Sequence, residues 1–111
     1  MNHTRWKLAR ERQHVDGLGE PPEIIAERAE IRLAMAFAKA VYDRRTELGL
    51  SQTEVAARAG LSQAKISRIE GADSMPTLPL LRRLAVALDA SLTIALDEDR
   101  EEVRFAARPA A

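Results

Sequence analysis

The chain has 111 residues, enough for one modest domain with extensions, and its 46% hydrophobic and 31% charged content is that of a globular protein rather than a disordered one. It has no cysteine, which excludes disulfides, thiolate metal sites and cysteine nucleophiles and fits a reducing compartment. Its 17 basic and 17 acidic residues cancel, so any affinity for a polyanion has to come from how the charge is distributed.

Near the amino terminus, Thr4 can cap a short helix carrying Trp6 and Leu8, which the run from Asp16 to Pro22 then breaks. Arg5, Lys7, Arg10 and Arg12 precede no apolar run, so the centre of a secretory signal is missing. No segment approaches the apolar length that spans a bilayer, and the expected compartment is the cytoplasm. From about Pro22 onward, Ile24, Ile25, Ala29, Leu33, Ala36, Phe37, Ala40 and Val41 recur at helical spacing with no breaker before Gly49. That predicts one helix of about seven turns. Ile24 and Ile25 then need cover from the Trp6 helix, a second subunit or another protein, which makes Trp6, Ile24 and Ile25 a candidate partner surface.

The next segment reads as two short helices around a tight turn. Ser51 and Glu54 have the spacing of a capping box, so the first helix starts at Gln52. Val55, Ala56 and Ala59 form its buried side, and Gly60 supplies the positive φ needed to leave it. Leu61 can plug the core below the turn, Ser62 can cap the second helix, and Ile66 and Ile69 share one face. Gln63, Ala64, Lys65, Ser67 and Arg68 are left facing outward. Their amide, ammonium and guanidinium groups suit base edges and phosphates in a major groove, although a solvated helix in a structural bundle also shows such residues.

After a further helix, Leu92, Ile94 and Leu96 alternate with Thr93 and Ala95, and Val103, Phe105 and Ala107 repeat the pattern beyond an acidic loop from Asp97 to Glu102. This predicts a two-stranded hairpin. Two strands alone are marginal in water, so they must pack on the helices or pair with a second copy. Leu92, Ile94 and Leu96 are the candidate dimerisation residues.

Charge is concentrated in the middle of the chain. Residues 31–88 hold nine basic and five acidic groups, a net +4, while residues 1–30 carry −1 and residues 89–111 carry −3. So modest an excess gives weak nonspecific DNA affinity per monomer, which makes binding as a homodimer the expected route to useful affinity.

The ordered set Leu48-Gly49-Leu50-Ser51-Gln52, Val55-Ala56, Gly60, Leu61-Ser62-Gln63, Ile66-Ser67-Arg68-Ile69-Glu70, Pro76-Thr77-Leu78, Leu81, Leu84-Ala85 and Ala87-Leu88 resembles the Cro and phage-repressor helix-turn-helix class, the XRE family, over about residues 36–90. The resemblance implies a mainly α fold, a five-helix lambda-repressor-like domain whose third helix lies in the major groove. The plan is then a helical extension over 1–35, the DNA-binding domain over 36–90, and a hairpin and tail over 91–111. Gln52 matches a phosphate-anchoring glutamine, the reading surface comprises Ser62, Gln63, Ala64, Lys65, Ser67 and Arg68, and Arg45 with Glu70 matches a structural ion pair. Two departures stand out. Ala72 replaces the usual glycine after Glu70, so the following loop is expected to run differently, and Asp89 replaces a helix-ending glycine, a left-handed position that aspartate tolerates.

The added amino-terminal segment and terminal strand resemble HigA-type antitoxins. That likeness implies a dimer that represses its own operon at a double-stranded operator and neutralises a RelE/HigB-like mRNA-interferase toxin. A freestanding XRE-family transcriptional regulator is the alternative. Catalysis is not expected. His3 and His14 belong to no metal-spaced cluster, no glycine-rich phosphate loop follows a strand, and Glu98, Glu101 and Glu102 lie in a polar loop with no pocket to shift their pKa values. No cofactor, metal or membrane is called for.

Overall fold

The structure, a computed structural model, describes residues 19–109. They form the helices α1 (Pro22–Glu47), α2 (Gln52–Ala59), α3 (Gln63–Glu70) and α4 (Leu78–Ala87), followed by strands β1 (Ala90–Leu96) and β2 (Glu101–Ala107). The mainly α class holds, but the described residues contain four helices, not five, because the chain turns into β1 directly after α4. The expected Trp6 helix lies outside the described residues.

Contacts divide the chain into two units at Glu30. In the described part of the first, the carbonyl of Pro21 accepts from the amides of Ile24 and Ile25, both at 3.1 Å, which starts α1, and Arg28 pairs with Glu20 at 2.5 Å. Ile24 is half-buried and Ile25 is exposed. The 26 residues of α1 form the single long helix that the periodicity predicts, about 39 Å at 1.5 Å per residue.

The second unit is built around one core. Phe37 and Val41 of α1, Val55, Ala56 and Ala59 of α2, Ile66 and Ile69 of α3, and Leu84, Ala87 and Leu88 from α4 and its end are all buried together. The small residues of α2 let its neighbours approach closely. The sequence encodes its ends locally: Ser51 Oγ accepts from the Glu54 amide at 3.0 Å, and the Glu54 carboxylate accepts from the Ser51 amide at 2.9 Å. That backbone hydrogen bond holds the Glu54 pKa below its ordinary value. At the other end Gly60 sits at φ +68°, and the amides of Gly60 and Leu61 return to the carbonyls of Ala57 and Ala56 in a Schellman closure.

The loop after α3 opens on a left-handed residue. Ala72 adopts φ +59°, its amide reaches the Ile69 carbonyl at 3.1 Å, and the Asp73 amide reaches that of Arg68 at 3.2 Å. This is the closure that a glycine at this position would also make. It is formed with a methyl group in the left-handed region, at a cost of about 1–2 kcal/mol. Ala72→Gly is therefore expected to stabilise the protein by about 1 kcal/mol after the added chain entropy is deducted, raising the thermal midpoint by about 4 °C. An unchanged or lowered midpoint in calorimetry would refute the strain at Ala72.

The strands pair antiparallel within the chain, with Leu92 opposite Phe105, Ile94 opposite Val103 and Leu96 opposite Glu101. Leu92, Val103 and Phe105 pack on the helical core, where the Phe105 ring lies 5.8 Å from that of Phe37. Arg32 of α1 also grips Glu101 through two hydrogen bonds of 3.0 and 3.1 Å. The hairpin's apolar face is thus used inside the protomer. Of the candidate dimerisation residues, Leu92 is packed on its own core, Ile94 is half-buried and only Leu96 is well exposed.

Candidate nucleic-acid interface

Helix α3 carries the outward face. Its start is capped by Ser62, whose Oγ accepts from the Lys65 amide at 3.1 Å. Burial of Ile66 and Ile69 fixes its rotation, so Gln63, Ala64, Ser67 and Arg68 are exposed and Lys65 is half-exposed.

Behind this face runs a chain of hydrogen bonds whose polarity the chemistry dictates. Arg45 holds Glu70 by two contacts, Nε to Oε2 at 2.7 Å and Nη2 to Oε1 at 2.9 Å, and donates a third bond to the Leu50 carbonyl at 2.9 Å. The guanidinium also lies 5.2 Å from the Tyr42 ring centroid. The hydrogen bonds to Glu70 raise the Arg45 pKa further above its ordinary value. A carboxylate only accepts, so Gln52 presents its Nε2 to Glu70 at 3.2 Å, leaving its Oε1 to accept from Gln63 Nε2 at 2.7 Å. Gln63 then keeps its carbonyl oxygen and one N–H for an outside partner. Gln52 is thus engaged on both ends of its amide within the protein, which its sequence position alone does not reveal.

The basic groups counted from sequence are mostly occupied. Arg44, only 6% exposed, donates to the carbonyls of Leu88 and Asp89 at 2.9 Å each and pairs with Glu47. Arg58 reaches the Ala87 carbonyl at 3.3 Å, and Arg83 those of Ala59 and Gly60 at 2.8 and 2.6 Å. These arginines satisfy the carbonyls that helices α2 and α4 leave unpaired at their ends. Arg32, Lys39 and Arg45 are salt-bridged. Of the nine cations between residues 31 and 88, Lys65, Arg68 and Arg82 are therefore the three with no salt bridge or side-chain hydrogen bond among the described residues, and two of them stand on α3. Sequence reading missed the structural role of Arg44, Arg58 and Arg83, because their partners are backbone carbonyls 23 to 45 positions away.

A shallow recess of about 520 Å³ opens beside this face, between Met35, Lys39 and Tyr42 of α1 and Gln52, Ser67 and Ala72. Among the described residues no group of acidic, histidine or cysteine side chains could hold a metal, and no helix is long and apolar enough to cross a membrane.

Two helices joined by a Schellman turn, with the second presenting uncommitted polar and basic side chains, define a helix-turn-helix. Residues 41–94 match the helix-turn-helix family model, and the fold over this segment is a helix-turn-helix. It is 38% identical over 74 residues, or 67% of its length, to a Pyrococcus abyssi protein named as a helix-turn-helix-type transcriptional regulatory protein, and spans only 23% of that relative. Among solved structures it is similar to the wild-type restriction-modification controller protein C.Esp1396I, at 25% identity and a TM-score of 0.51 over 53% of this chain and 77% of that one. The restriction-modification controller protein C.AhdI from Aeromonas hydrophila is 30% identical, with a TM-score of 0.49 over 50% of this chain and 85% of that one.

Proposed function

We propose that the protein is a sequence-specific, double-stranded DNA-binding transcriptional regulator that reads a major groove with α3 and binds as a dimer. The observation that carries this reading is the disposition of the cations: most hold the fold together, while Lys65 and Arg68 remain uncommitted on the exposed face of α3 beside a Gln63 held in one orientation. Arg68 suits guanine, whose O6 and N7 accept a guanidinium fork, and Lys65 suits a phosphate. Gln63, with one donor and one acceptor left, suits the N7 and N6 of adenine. Two copies on one duplex would place their α3 helices about one helical turn, roughly 34 Å, apart and call for a palindromic site.

The transcriptional-regulator role of the Pyrococcus abyssi protein and the controller role of C.Esp1396I favour this regulator over the antitoxin reading. No observation on the described surface selects a RelE/HigB-like toxin as a partner. A neighbouring gene for a small basic protein, toxic alone and copurifying with this chain, would revive that reading.

The test is selection of binding sites from random duplex DNA. Wild type is expected to enrich a palindrome, and Arg68→Ala to lose preference at one base pair of each half-site at a cost of about 1–3 kcal/mol. Failure of the wild-type protein to enrich any sequence would overturn the proposal.

A further inference from the structure

Helix α1 reaches the reading face through Arg45, but it also carries a second surface beside that face. Met35, Ala38, Lys39 and Tyr42, at helical spacing, form one wall of the recess next to α3, and Gln52, Ser67 and Glu70 line the opposite side. Met35 is 59% and Tyr42 51% exposed, so the core of the protomer does not use them. The polar groups here are mostly donors. The hydroxyls of Tyr42 and Ser67 make no hydrogen bond among the described residues, and Gln52 Nε2 has a second N–H beyond the one it gives Glu70. The carboxylate lining the recess, Glu70, is neutralised by its two bonds from Arg45. Lys39 Nζ lies 2.5 Å from Asp43, but the two side chains are 77% and 53% exposed, where an ion pair has little hold.

We propose that this recess seats the sugar–phosphate backbone of the DNA strand bordering the groove that α3 enters. Tyr42 Oη and the Lys39 ammonium donate to a phosphate, and the Met35 side chain lies against a deoxyribose. DNA is the fitting occupant on two grounds. The recess is continuous with the reading face, since Gln52 and Ser67 belong to both. Its chemistry is also that of a backbone strip, with apolar surface set between hydroxyl and ammonium donors, the groups that bind sugar and phosphate oxygens. An ammonium that turns to a phosphate gives up its contact with Asp43. Asp43 therefore competes with DNA for Lys39, and their surface pair restrains the affinity of the free protein for a duplex.

This inference rests on the regulator reading for its ligand, and its test separates the two. Fluorescence anisotropy measures binding over a range of salt, to a duplex enriched by the selection and to a duplex of random sequence. Lys39→Gln is expected to weaken both several-fold and to reduce the salt slope by about one. Tyr42→Phe keeps the ring 5.2 Å from the Arg45 guanidinium and should also weaken both, with base preference unchanged. Asp43→Asn should tighten binding, and should lose that gain in the Lys39→Gln background. All three positions are exposed, so the thermal midpoints of these variants should match wild type. Affinities and salt slopes of Lys39→Gln and Tyr42→Phe equal to wild type would overturn the proposal and leave the regulator reading standing. A gain from Asp43→Asn that persists without Lys39 would overturn the exchange of partners. The expected losses in a protein whose wild type enriches no sequence would leave the backbone contact standing and remove sequence-specific reading alone. A wild type that binds neither duplex would overturn both.

Discussion

Glu70→Ala is expected to cost about 3 kcal/mol of folding stability, the largest loss of any single substitution considered. The Glu70 side chain is 6% exposed and that of Arg45 is 13% exposed, so neither charge is well hydrated. With Glu70 removed, the guanidinium keeps only the Leu50 carbonyl and the Tyr42 ring as partners. Breaking a buried pair from one side leaves an uncompensated charge, whereas replacing both partners by apolar groups of similar volume is often neutral. Arg45→Met with Glu70→Leu should accordingly recover most of the loss. A domain of this size has about 5–15 kcal/mol in hand, so Glu70→Ala still folds, with a thermal midpoint lowered by about 15 °C. Urea unfolding of Arg45→Met, Glu70→Leu and the double variant measures the cycle directly. A loss below about 1 kcal/mol in both single variants would mean that water compensates the pair as it does at a surface.

The ends of α2 and α3 were legible in the sequence because capping is local. Ser51 and Glu54, Gly60 and Ser62 each act within three residues of their partners, and the rotation of α3 followed from Ile66 and Ile69 alone. What the residues left hidden depends on distance along the chain. Arg44, Arg58 and Arg83 read as surface charge, and the net +4 of residues 31–88 therefore overstated the cations free to meet DNA. Ala72 shows a different limit: its side chain disfavours the left-handed region, yet the core contacts of Ile69 before it and Met75 after it fix where the chain must go. For the hairpin, alternation located both strands but could not say what the apolar face meets. The Phe105 contact with Phe37 and the Arg32 grip on Glu101 answer that, directing the face inward.

The fixed polarity of the amide chain bears most directly on recognition. The family resemblance gives Gln52 the role of anchoring a phosphate, so that its loss is expected to weaken all sequences alike. The geometry adds a second consequence, because Gln52 Oε1 is what Gln63 Nε2 donates to, at 2.7 Å. Gln52→Ala should therefore weaken operator binding by about 1–3 kcal/mol, or roughly fivefold to 150-fold, and also flatten the preference at the base pair Gln63 faces, since a freed carboxamide can turn over and exchange donor for acceptor. Gln63→Ala should flatten the same base pair. The double variant should lose less than the sum of the two, because each single substitution already removes their shared bond. Titrations against an operator and its single-base variants would separate the two effects. Even weakening by Gln52→Ala across every variant would mean that the packing of α3 holds Gln63 in place without its neighbour.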